Sequence, residues 1–263
     1  MSGTLTIVGT PIGNLGDFSP RAVQALEETD FIAAEDTRVT LRLLNHFGIK
    51  KPLVSYYEHN KRERGEQICA RIEAGENCVL VSDAGMPAIS DPGEELVAQC
   101  AERGIPVLAV PGPSAVVTAL ALSGLPTGRF TFEGFLSVNK KSRREHLAQL
   151  TDERRTMVFY EAPHKLPTTL RDLYEALGDR RVALARELTK VHEEVQRTTL
   201  REAAARYADG GARGEFVLVV EGAPEPEQEE TVSIEDAARA VRELAEREGV
   251  SLSEAARRVA ALT

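Results

Sequence analysis

The sequence predicts an α/β protein made of two α/β halves, and three observations support this class. The first 125 residues alternate short apolar segments with amphipathic helical segments five times. The apolar segments are nearly continuous, which is typical of parallel strands covered on both faces of a sheet. Glycine stands where the helical segments end, and a helix C-terminus favours glycine. These glycines are Gly48, Gly75, Gly104 and Gly124.

The elements of this first half, residues 1–125, can be assigned in order. The predicted strands are LTIVG, FIAA, LVSYY, CVLVS and IPVLAV. The helical segments that follow them are RAVQALEETD, TRVTLRLLNHFG, RERGEQICARIEAG, GEELVAQCAERG and SAVVTALALSG. Ser19 and Pro20 open the first helix, because serine caps a helix and proline suits its first position. We therefore expect a five-stranded parallel sheet.

The regular alternation of strand and helix ends at residue 125, and residues 126–222 predict a second, mixed sheet. Five segments read as strands: RFTFEGF, TMVFYEA, RVALARELT, EEVQRTT and GEFVLVVEG. Only three helical segments lie between them: KSRREHLAQL, HKLPTTLRDLYEALG and LREAAARYADG. Five strands with three helices leave too few crossovers for an all-parallel sheet.

A linker and a small helical tail are expected at the C-terminal end. Residues 223–232 are rich in proline and glutamate, as in a linker. In residues 233–263, Ser233 and Ser251 each open a helical stretch with capping-box spacing, and Gly249 lies between the stretches. This pattern fits either a helix-turn-helix-like recognition element or plain scaffolding.

Composition and cysteine usage narrow the class of protein. The chain is 42% hydrophobic, no apolar run approaches the ~20 residues of a membrane span, and the start does not resemble a signal peptide. Three widely spaced cysteines, Cys69, Cys78 and Cys100, are an odd number in apolar surroundings. They indicate buried thiols in a reducing cytoplasm rather than disulfides or a metal site.

Charge is unevenly distributed along the chain. The net charge of −9 argues against a protein that coats nucleic acid along its whole surface. Residues 129–223, however, hold 17 basic and 15 acidic residues, and their basic residues cluster. The clusters are Lys140, Lys141, Arg143 and Arg144, then Arg154 with Arg155, then Arg180 with Arg181. Each is either a solvated face or a place where an anionic partner docks.

Five loops are expected to meet at one edge of the first sheet. In a parallel sheet ligands bind beyond the carboxyl ends of the strands. The loops there are rich in Gly, Pro, Ser or Asp, and two exceed the 2–6 residues of a plain connection. They are GTPIGNLGD (residues 9–17), EDTR (35–38), YYEHNK (56–61), SDAGMPAISDPG (82–93) and VPGPSA (110–115).

Known motifs exclude several kinds of site at these loops. Pro11 stands where the dinucleotide pattern GxGxxG needs glycine, and no lysine follows the glycines as a P-loop requires. The GxSxG elbow of serine hydrolases is absent from the sequence. Asp83 and Asp91, with Asp36, could hold a hard cation, although aspartate beside glycine or proline also forms turns.

Eight ordered segments resemble the tetrapyrrole-methylase-like, or class III, S-adenosylmethionine-dependent methyltransferases. They are GTPIGNLGD, AAEDTR, LLNHFGI, SDAGMPAISDPG, PGPSA, ALSGLPTGRFTFEGF, FYEAPHK and ARELTKVHEE. The resemblance covers residues 4–222, and it is to the branch that methylates the 2′-hydroxyl of a cytidine in 16S rRNA. Met86, Lys165 and Ser137 depart from the residues more usual in that branch.

The resemblance implies S-adenosylmethionine held between the two α/β halves, and a homodimer. The implied cofactor contacts are Pro11, Ile12, Asp83, Ala84, Gly85, Met86, Ser114, Ala115, Tyr160, Glu161 and Leu188. A carboxylate such as Asp83 suits this ligand, because S-adenosylmethionine carries a sulfonium and an ammonium group. The second half of the loop, Ser90 to Gly93 with Asp91, would fix the turn into the next helix.

Transfer of a methyl group to a hydroxyl needs alignment and a route for the proton. Glu35 or Asp36 could orient the ribose, and Arg38, Arg186 or Lys190 could hold a phosphate; Lys190 with a lowered pKa could be the base. These charges could equally form structural ion pairs between the two halves. Lys140, Lys141, Arg143 and Arg144 favour 16S rRNA or the small ribosomal subunit as partner. A tetrapyrrole methylase and a non-catalytic RNA-binding assembly factor are the alternatives.

Overall fold

The computed structural model describes residues 2–225 and 234–260. Contacts group residues 1–223 into one compact unit and residues 224–263 into another. In the described ranges no helix is both long and apolar enough to cross a membrane. All three cysteines are free and buried, as their apolar surroundings predict.

The first sheet has the predicted parallel arrangement. Its strands are β1 (Leu5–Val8), β2 (Phe31–Ala34), β3 (Leu53–Ser55), β4 (Cys78–Val81) and β5 (Val107–Val110). They lie in the order β3-β2-β4-β1-β5, and every neighbouring pair is parallel. The carboxyl ends of all five strands therefore lie at one edge, where the five loops begin.

Four helices cover the first sheet, and a fifth does not. The helices are α1 (Pro20–Glu28), α2 (Thr37–Phe47), α3 (Lys61–Glu73), α4 (Glu94–Glu102) and α5 (Ala115–Ser123). Buried side chains of α1 and α2 pack on one face of the sheet, and those of α3 and α4 on the other. Val116, Ala119 and Leu120 of α5 pack instead against Val158 and Val219 of the second sheet. Helix α5 thus joins the two halves.

The predicted helix ends are confirmed. The Ser19 hydroxyl accepts a hydrogen bond from the Ala22 amide at 3.1 Å, and Pro20 is the first residue of α1. Gly48 adopts a left-handed conformation (φ 71°) and closes α2, where a side chain would be strained.

The second sheet is mixed, as the sequence predicts. Its strands are β6 (Phe130–Phe135), β7 (Thr156–Glu161), β8 (Arg181–Arg186), β9 (Glu194–Thr199) and β10 (Phe216–Val220). The order is β6-β7-β10-β8-β9, in which only β6 and β7 are parallel. One face packs against α5, and α6 (Lys140–Gln149), α7 (Leu166–Leu177) and α8 (Leu200–Arg206) cover the other. The division at residues 125 and 126 remains our proposal.

Two helices form the described part of the tail, α9 (Ile234–Glu248) and α10 (Leu252–Ala260). The predicted cap at Ser251 is present, since its hydroxyl accepts from the Glu254 amide at 3.3 Å. Gly249, between the helices, has a left-handed conformation (φ 65°). Most of the predicted linker, residues 226–232, and the cap at Ser233 lie outside the described residues.

Candidate active site

Two glycines bring the loops after β1 and β5 into direct backbone contact. A Cβ atom added to Gly112 would lie 2.7 Å from the carbonyl oxygen of Gly9, and one added to Gly9 would lie 2.7 Å from the Cα of Gly112. No side chain fits between the two backbones. Gly9 and Gly112 therefore serve close packing of the two loops, not a phosphate cradle.

The loop after β4 is joined to the loop after β1 by backbone hydrogen bonds. The Thr10 amide donates to the Gly85 carbonyl at 2.9 Å, and the Gly85 amide donates to the Thr10 carbonyl at 3.1 Å. The Thr10 hydroxyl also donates to the Ser82 carbonyl at 3.1 Å. Three loops of the first sheet thus form one rigid wall.

Antiparallel pairing builds the opposite wall from the second sheet. Phe216, at the start of β10, lies opposite Glu161 at the end of β7 and opposite Arg186 at the end of β8. The start of β10 and the ends of β7 and β8 therefore share one edge. Between this edge and the loops of the first sheet lies a cavity of about 480 Å³, within the usual size of a small-molecule site.

Ten of the eleven predicted cofactor residues line this cavity. They are Ile12, Asp83, Ala84, Gly85, Met86, Ser114, Ala115, Tyr160, Glu161 and Leu188. Pro11 precedes Ile12 but is not among the lining residues. Segments far apart in sequence therefore meet at one place, on the rigid wall and on the second sheet.

The cavity is lined by carboxylates. Five of its lining residues are acidic, and in the described part of the chain no lysine, arginine or histidine lines it. The acidic residues are Glu35, Asp83, Asp91, Glu161 and Glu215. This composition favours a ligand with positive charge and disfavours a phosphate.

Burial and mutual repulsion raise the pKa of three of these carboxyls. Desolvation, then the charges of Glu35 and Asp83, raise the pKa of Asp91 to about 6. The pKa values of Glu35 and Asp83 are also raised, chiefly by burial. Burial, with the charge of Asp91, raises the pKa of Tyr160 to about 12, so its phenol stays protonated near neutral pH. Raised pKa values clustered in a cavity are typical of functional sites.

The cavity does not have the character of a metal site. Among residues 2–225 and 234–260, no three His, Cys, Asp or Glu side chains are placed to hold a metal ion together. Asp36 is also occupied: its carboxylate accepts from the Arg38 amide at 2.8 Å and from the Arg38 guanidinium at 2.6 Å. The structure therefore does not support the hard-cation alternative.

The five predicted catalytic residues occupy different places. Glu35 lines the cavity. Asp36 caps α2 and pairs with Arg38, whose hydrogen bonds hold the pKa of Asp36 far below its usual value. Arg186 pairs with Glu194 at 3.1 Å, at the second-sheet edge. Asp36 pairs with Arg38 inside the first half, and Arg186 pairs with Glu194 inside the second, so these ion pairs lie within the halves and not between them.

Lys190 lies between two carboxylates, which contradicts the hypothesis of a lowered pKa. Its ammonium group is 2.8 Å from both Glu187 and Glu215. Desolvation alone would lower the pKa of Lys190, but the hydrogen bonds to these carboxylates outweigh it and the pKa is raised. A raised pKa does not fit the hypothesis that Lys190 is the base.

The turn that carries Lys190 is strained and closely packed. Glu187 and Thr189 have left-handed φ values of 52° and 66°, which cost energy for residues other than glycine. A Cβ on Gly13 would lie 2.5 Å from the Lys190 side chain, so the loop after β1 rests on this lysine. Lys190 thus links the two walls and orients Glu215, which lines the cavity.

The basic cluster at the start of α6 contains one residue that faces inward. Arg143 is 8% exposed; its guanidinium donates to Asp172 at 2.6 Å and to the Thr169 hydroxyl at 2.9 Å. The Thr169 hydroxyl in turn donates to Glu161 in the cavity wall. Arg143 therefore supports Glu161 from behind and is not available to RNA, while Lys140, Lys141 and Arg144 are exposed.

Replacing Arg143 by methionine should destabilise the protein. The change removes the donor to the buried Thr169 hydroxyl and the nearer of the two cations beside Asp172, at a cost of roughly 2–4 kcal/mol. Urea unfolding would measure it, with Arg144→Met as the exposed neighbouring control, expected within about 0.5 kcal/mol of the wild type. Equal free energies of unfolding for the two variants would contradict the inward role of Arg143.

Several lining residues are not among the cofactor contacts that the sequence resemblance implies. Asp91 was expected to be structural, yet it lines the cavity beside Ile89 and Ser90. Phe135 and Glu215 also line it, and both stand at strand ends that only the order of the second sheet brings together. The one available signal was their position at the ends of predicted strands.

The fold and this cleft define a class of protein. The family model for Tetrapyrrole (Corrin/Porphyrin) Methylases matches residues 4–204. Uroporphyrin-III C-methyltransferase from Thermus thermophilus, solved with S-adenosyl homocysteine, has a TM-score of 0.56 at 19% identity and covers 82% of this chain and 97% of its own. A diphthine synthase has a TM-score of 0.62 at 16% identity, with 83% and 90% covered. These likenesses show the fold.

Sequence relatives narrow the class further. A ribosomal RNA small subunit methyltransferase I of Synechocystis sp. is 49% identical over 98% of this chain and 92% of its own length. The protein of the same name from Thermotoga maritima is 49% identical over 84% of this chain and 99% of its own length. The chain therefore belongs to the ribosomal RNA small subunit methyltransferase I family, within the tetrapyrrole methylases.

Proposed function

We propose that the protein transfers a methyl group from S-adenosylmethionine to the ribose 2′-hydroxyl of a cytidine in 16S rRNA, in the cytoplasm. The observation that carries the cofactor assignment is the carboxylate-lined cavity between the two sheets. The names of the relatives support rRNA as the substrate. The resemblance of the eight sequence segments supports the 2′-hydroxyl of cytidine as the acceptor.

The lining of the cavity fits S-adenosylmethionine. Its sulfonium and ammonium groups are cations, and Glu35, Asp83 and Asp91 offer negative charge that water screens only partly. Ile12, Met86 and Leu188 offer apolar surface for the adenosine. The stiff wall of joined loops keeps these groups in place before the ligand arrives, which lowers the cost of binding.

Bound S-adenosylmethionine supplies an electrophilic methyl group on sulfur. The 2′-hydroxyl oxygen must approach in line, so that the new O–C bond forms as the S–C bond breaks and the hydroxyl proton leaves. Glu35 suits acceptance of this proton, because burial raises its pKa above that of an ordinary carboxyl and makes it a stronger base. Asp36 suits it poorly, because hydrogen bonds from Arg38 lower the pKa of its carboxylate and make it a weak base. Arg38, Arg186 and Lys190 are the cations proposed to position phosphates.

The RNA contacts are proposed on the exposed cations of α6. Lys140, Lys141 and Arg144 are exposed, and they follow β6, whose last residue, Phe135, lines the cavity. The partner is 16S rRNA, free or in the small ribosomal subunit. We also propose a homodimer, on the resemblance to the family.

Affinity for S-adenosylmethionine should rise with pH through about 6. With its pKa raised to about 6, Asp91 keeps its proton in the free protein up to that pH, whereas the unfolded chain releases it near pH 3.9. Ionisation of Asp91 therefore destabilises the free protein as pH rises from about 4 to 6. A bound cation stabilises the ionised carboxylate, so binding becomes more favourable as Asp91 loses its proton. Calorimetry should show up to about tenfold tighter binding at pH 7 than at pH 5.

Asp91→Asn is the control for this pH dependence, because asparagine keeps the shape and does not titrate. The variant should bind with a flatter profile between pH 5 and 7. The ammonium group of the ligand stays protonated over this range, since α-amino groups titrate near pH 8. Wild-type affinity that does not change with pH would contradict a cation site at these carboxyls.

Nucleoside analysis tests the position of the methyl group. We expect rRNA treated with the enzyme and digested to nucleosides to yield 2′-O-methylcytidine. The modified linkage should also resist alkaline cleavage, because the 2′-hydroxyl is the nucleophile in that cleavage. Methylation on the cytosine base would leave the linkage labile and would overturn the ribose assignment.

A further inference from the structure

A second depression lies between α6 and α7, beside the cofactor cavity. Its volume is about 810 Å³, larger than that of the cavity itself. Six residues that line it are lysine, arginine or histidine: Lys140, Arg143, Arg144, His164, Lys165 and Arg171. We call it the α6–α7 groove.

Part of the positive charge in this groove has no ion-pair partner within the described residues. Asp172 and Glu175 also line the groove, but Asp172 pairs with Arg143, and both acids lie within 4 Å of Arg171, at 3.5 and 3.9 Å. Lys140, Arg144 and Lys165 form no ion pair within residues 2–225 and 234–260. The groove is therefore complementary to an anion, in contrast to the cavity with its five carboxylates.

Two short chain segments lead from the cavity to the groove. In residues 135–138, Phe135 lines the cavity and Val138 lines the groove. In residues 161–165, Glu161 lines the cavity and Lys165 lines the groove. A ligand chain that lies in the groove would therefore pass only a few protein residues before it reaches the mouth of the cavity.

An aromatic side chain stands at this junction. Phe135 is 56% exposed, which is unusual for phenylalanine, and its ring centroid lies 5.5 Å from that of Tyr160. Exposed aromatic rings beside a basic groove are the usual platform on which single-stranded nucleic acids stack their bases.

We propose that the α6–α7 groove holds the single-stranded RNA that flanks the target nucleotide. Phosphates of this strand lie on Lys140, Arg144 and Lys165, and one base stacks on Phe135. The groove thereby positions the acceptor ribose at the mouth of the cavity. This proposal rests on the proposed function, because it assumes an RNA substrate.

The test compares two double variants, each of which removes two positive charges at a different place on the protein. Arg144→Ser/Lys165→Ser acts in the groove, whereas Lys50→Ser/Lys51→Ser acts before β3, at the edge of the first sheet opposite the cavity. Affinity for a labelled cytidine dodecamer is measured at several salt concentrations, and affinity for S-adenosylmethionine by calorimetry. Labelled-methyl transfer to 16S rRNA is measured in parallel.

The groove variant should bind the oligonucleotide on the order of tenfold more weakly, with a salt slope shallower by about 1.4 for two lost phosphate contacts. Its affinity for S-adenosylmethionine and the RNA binding of the control should match the wild type. Phe135→Leu should weaken RNA binding without changing the salt slope.

Two results would overturn the groove assignment in different ways. If the groove variant binds RNA and methylates it as the wild type does, the groove has no role and the proposed function stands. If wild-type protein binds S-adenosylmethionine but neither binds nor methylates any RNA tested, the proposed function fails and the groove assignment with it.

Discussion

Replacing Asp83 by alanine is expected to lower the affinity for S-adenosylmethionine by roughly 10- to 100-fold. A partly desolvated carboxylate beside a ligand cation contributes about 1.5–3 kcal/mol. A hydrogen bond fixes the position of the Asp83 carboxylate, which accepts from the Asp36 amide at 3.1 Å. Calorimetry with S-adenosylmethionine and S-adenosylhomocysteine would measure the effect, and a larger loss for the former would place Asp83 near the sulfonium.

Asp17→Ala is the matched control for Asp83. Asp17 lies in the loop after β1, is exposed and does not line the cavity. Its replacement should leave both affinities within about twofold of the wild type, since exposed charges at a distance are screened by solvent. Equal affinities for wild type, Asp83→Ala and Asp17→Ala would remove Asp83 from the site.

Gly112→Ala should strongly destabilise the protein. The added Cβ would lie 2.7 Å from the carbonyl oxygen of Gly9, and neither backbone can yield without moving β1 or β5. We expect a loss of roughly 2–4 kcal/mol in the free energy of unfolding. Affinity for S-adenosylmethionine should fall as well, because Ile12 and Ser114 line the cavity from the two loops concerned.

Gly128→Ala provides the comparison. In the part of the chain that the structure describes, no atom lies within 4 Å of a Cβ added at Gly128, and the φ of Gly128 is outside the left-handed region. The change should leave stability equal or slightly higher, because alanine restricts the unfolded chain more than glycine. A Gly112→Ala protein as stable as Gly128→Ala would show that the loops can separate, and would contradict a rigid wall.

Much of the fold could be predicted because its signals are local. Ser19 with Pro20 marks the start of a helix, and Gly48 marks the end of the next, through hydrogen bonds within a few residues. Apolar runs such as CVLV become fully buried strands. The use of α5 to cover the second sheet could not be predicted, because its apolar surface does not specify which sheet it covers.

The site was predicted less completely, because much of it depends on contacts between residues that are far apart in the sequence. Segments after strands of the first sheet could be located, because parallel strands end at one edge. Asp91 was assigned to a turn, since the raised pKa that marks it depends on burial and on the charge of Glu35. The sequence likewise could not show that Arg143 turns inward to Thr169, or that Glu187 and Glu215 hold Lys190 as a cation.

Transfer of a labelled methyl group from S-adenosylmethionine tests the central claim most directly. Purified protein would be incubated with naked 16S rRNA, with assembled small ribosomal subunits and with a tetrapyrrole. We predict that label enters one or both rRNA substrates and not the tetrapyrrole, and that Asp83→Ala reduces the transfer. Label in the tetrapyrrole alone, or in none of the three while the cofactor binds, would contradict the assignment as an rRNA methyltransferase.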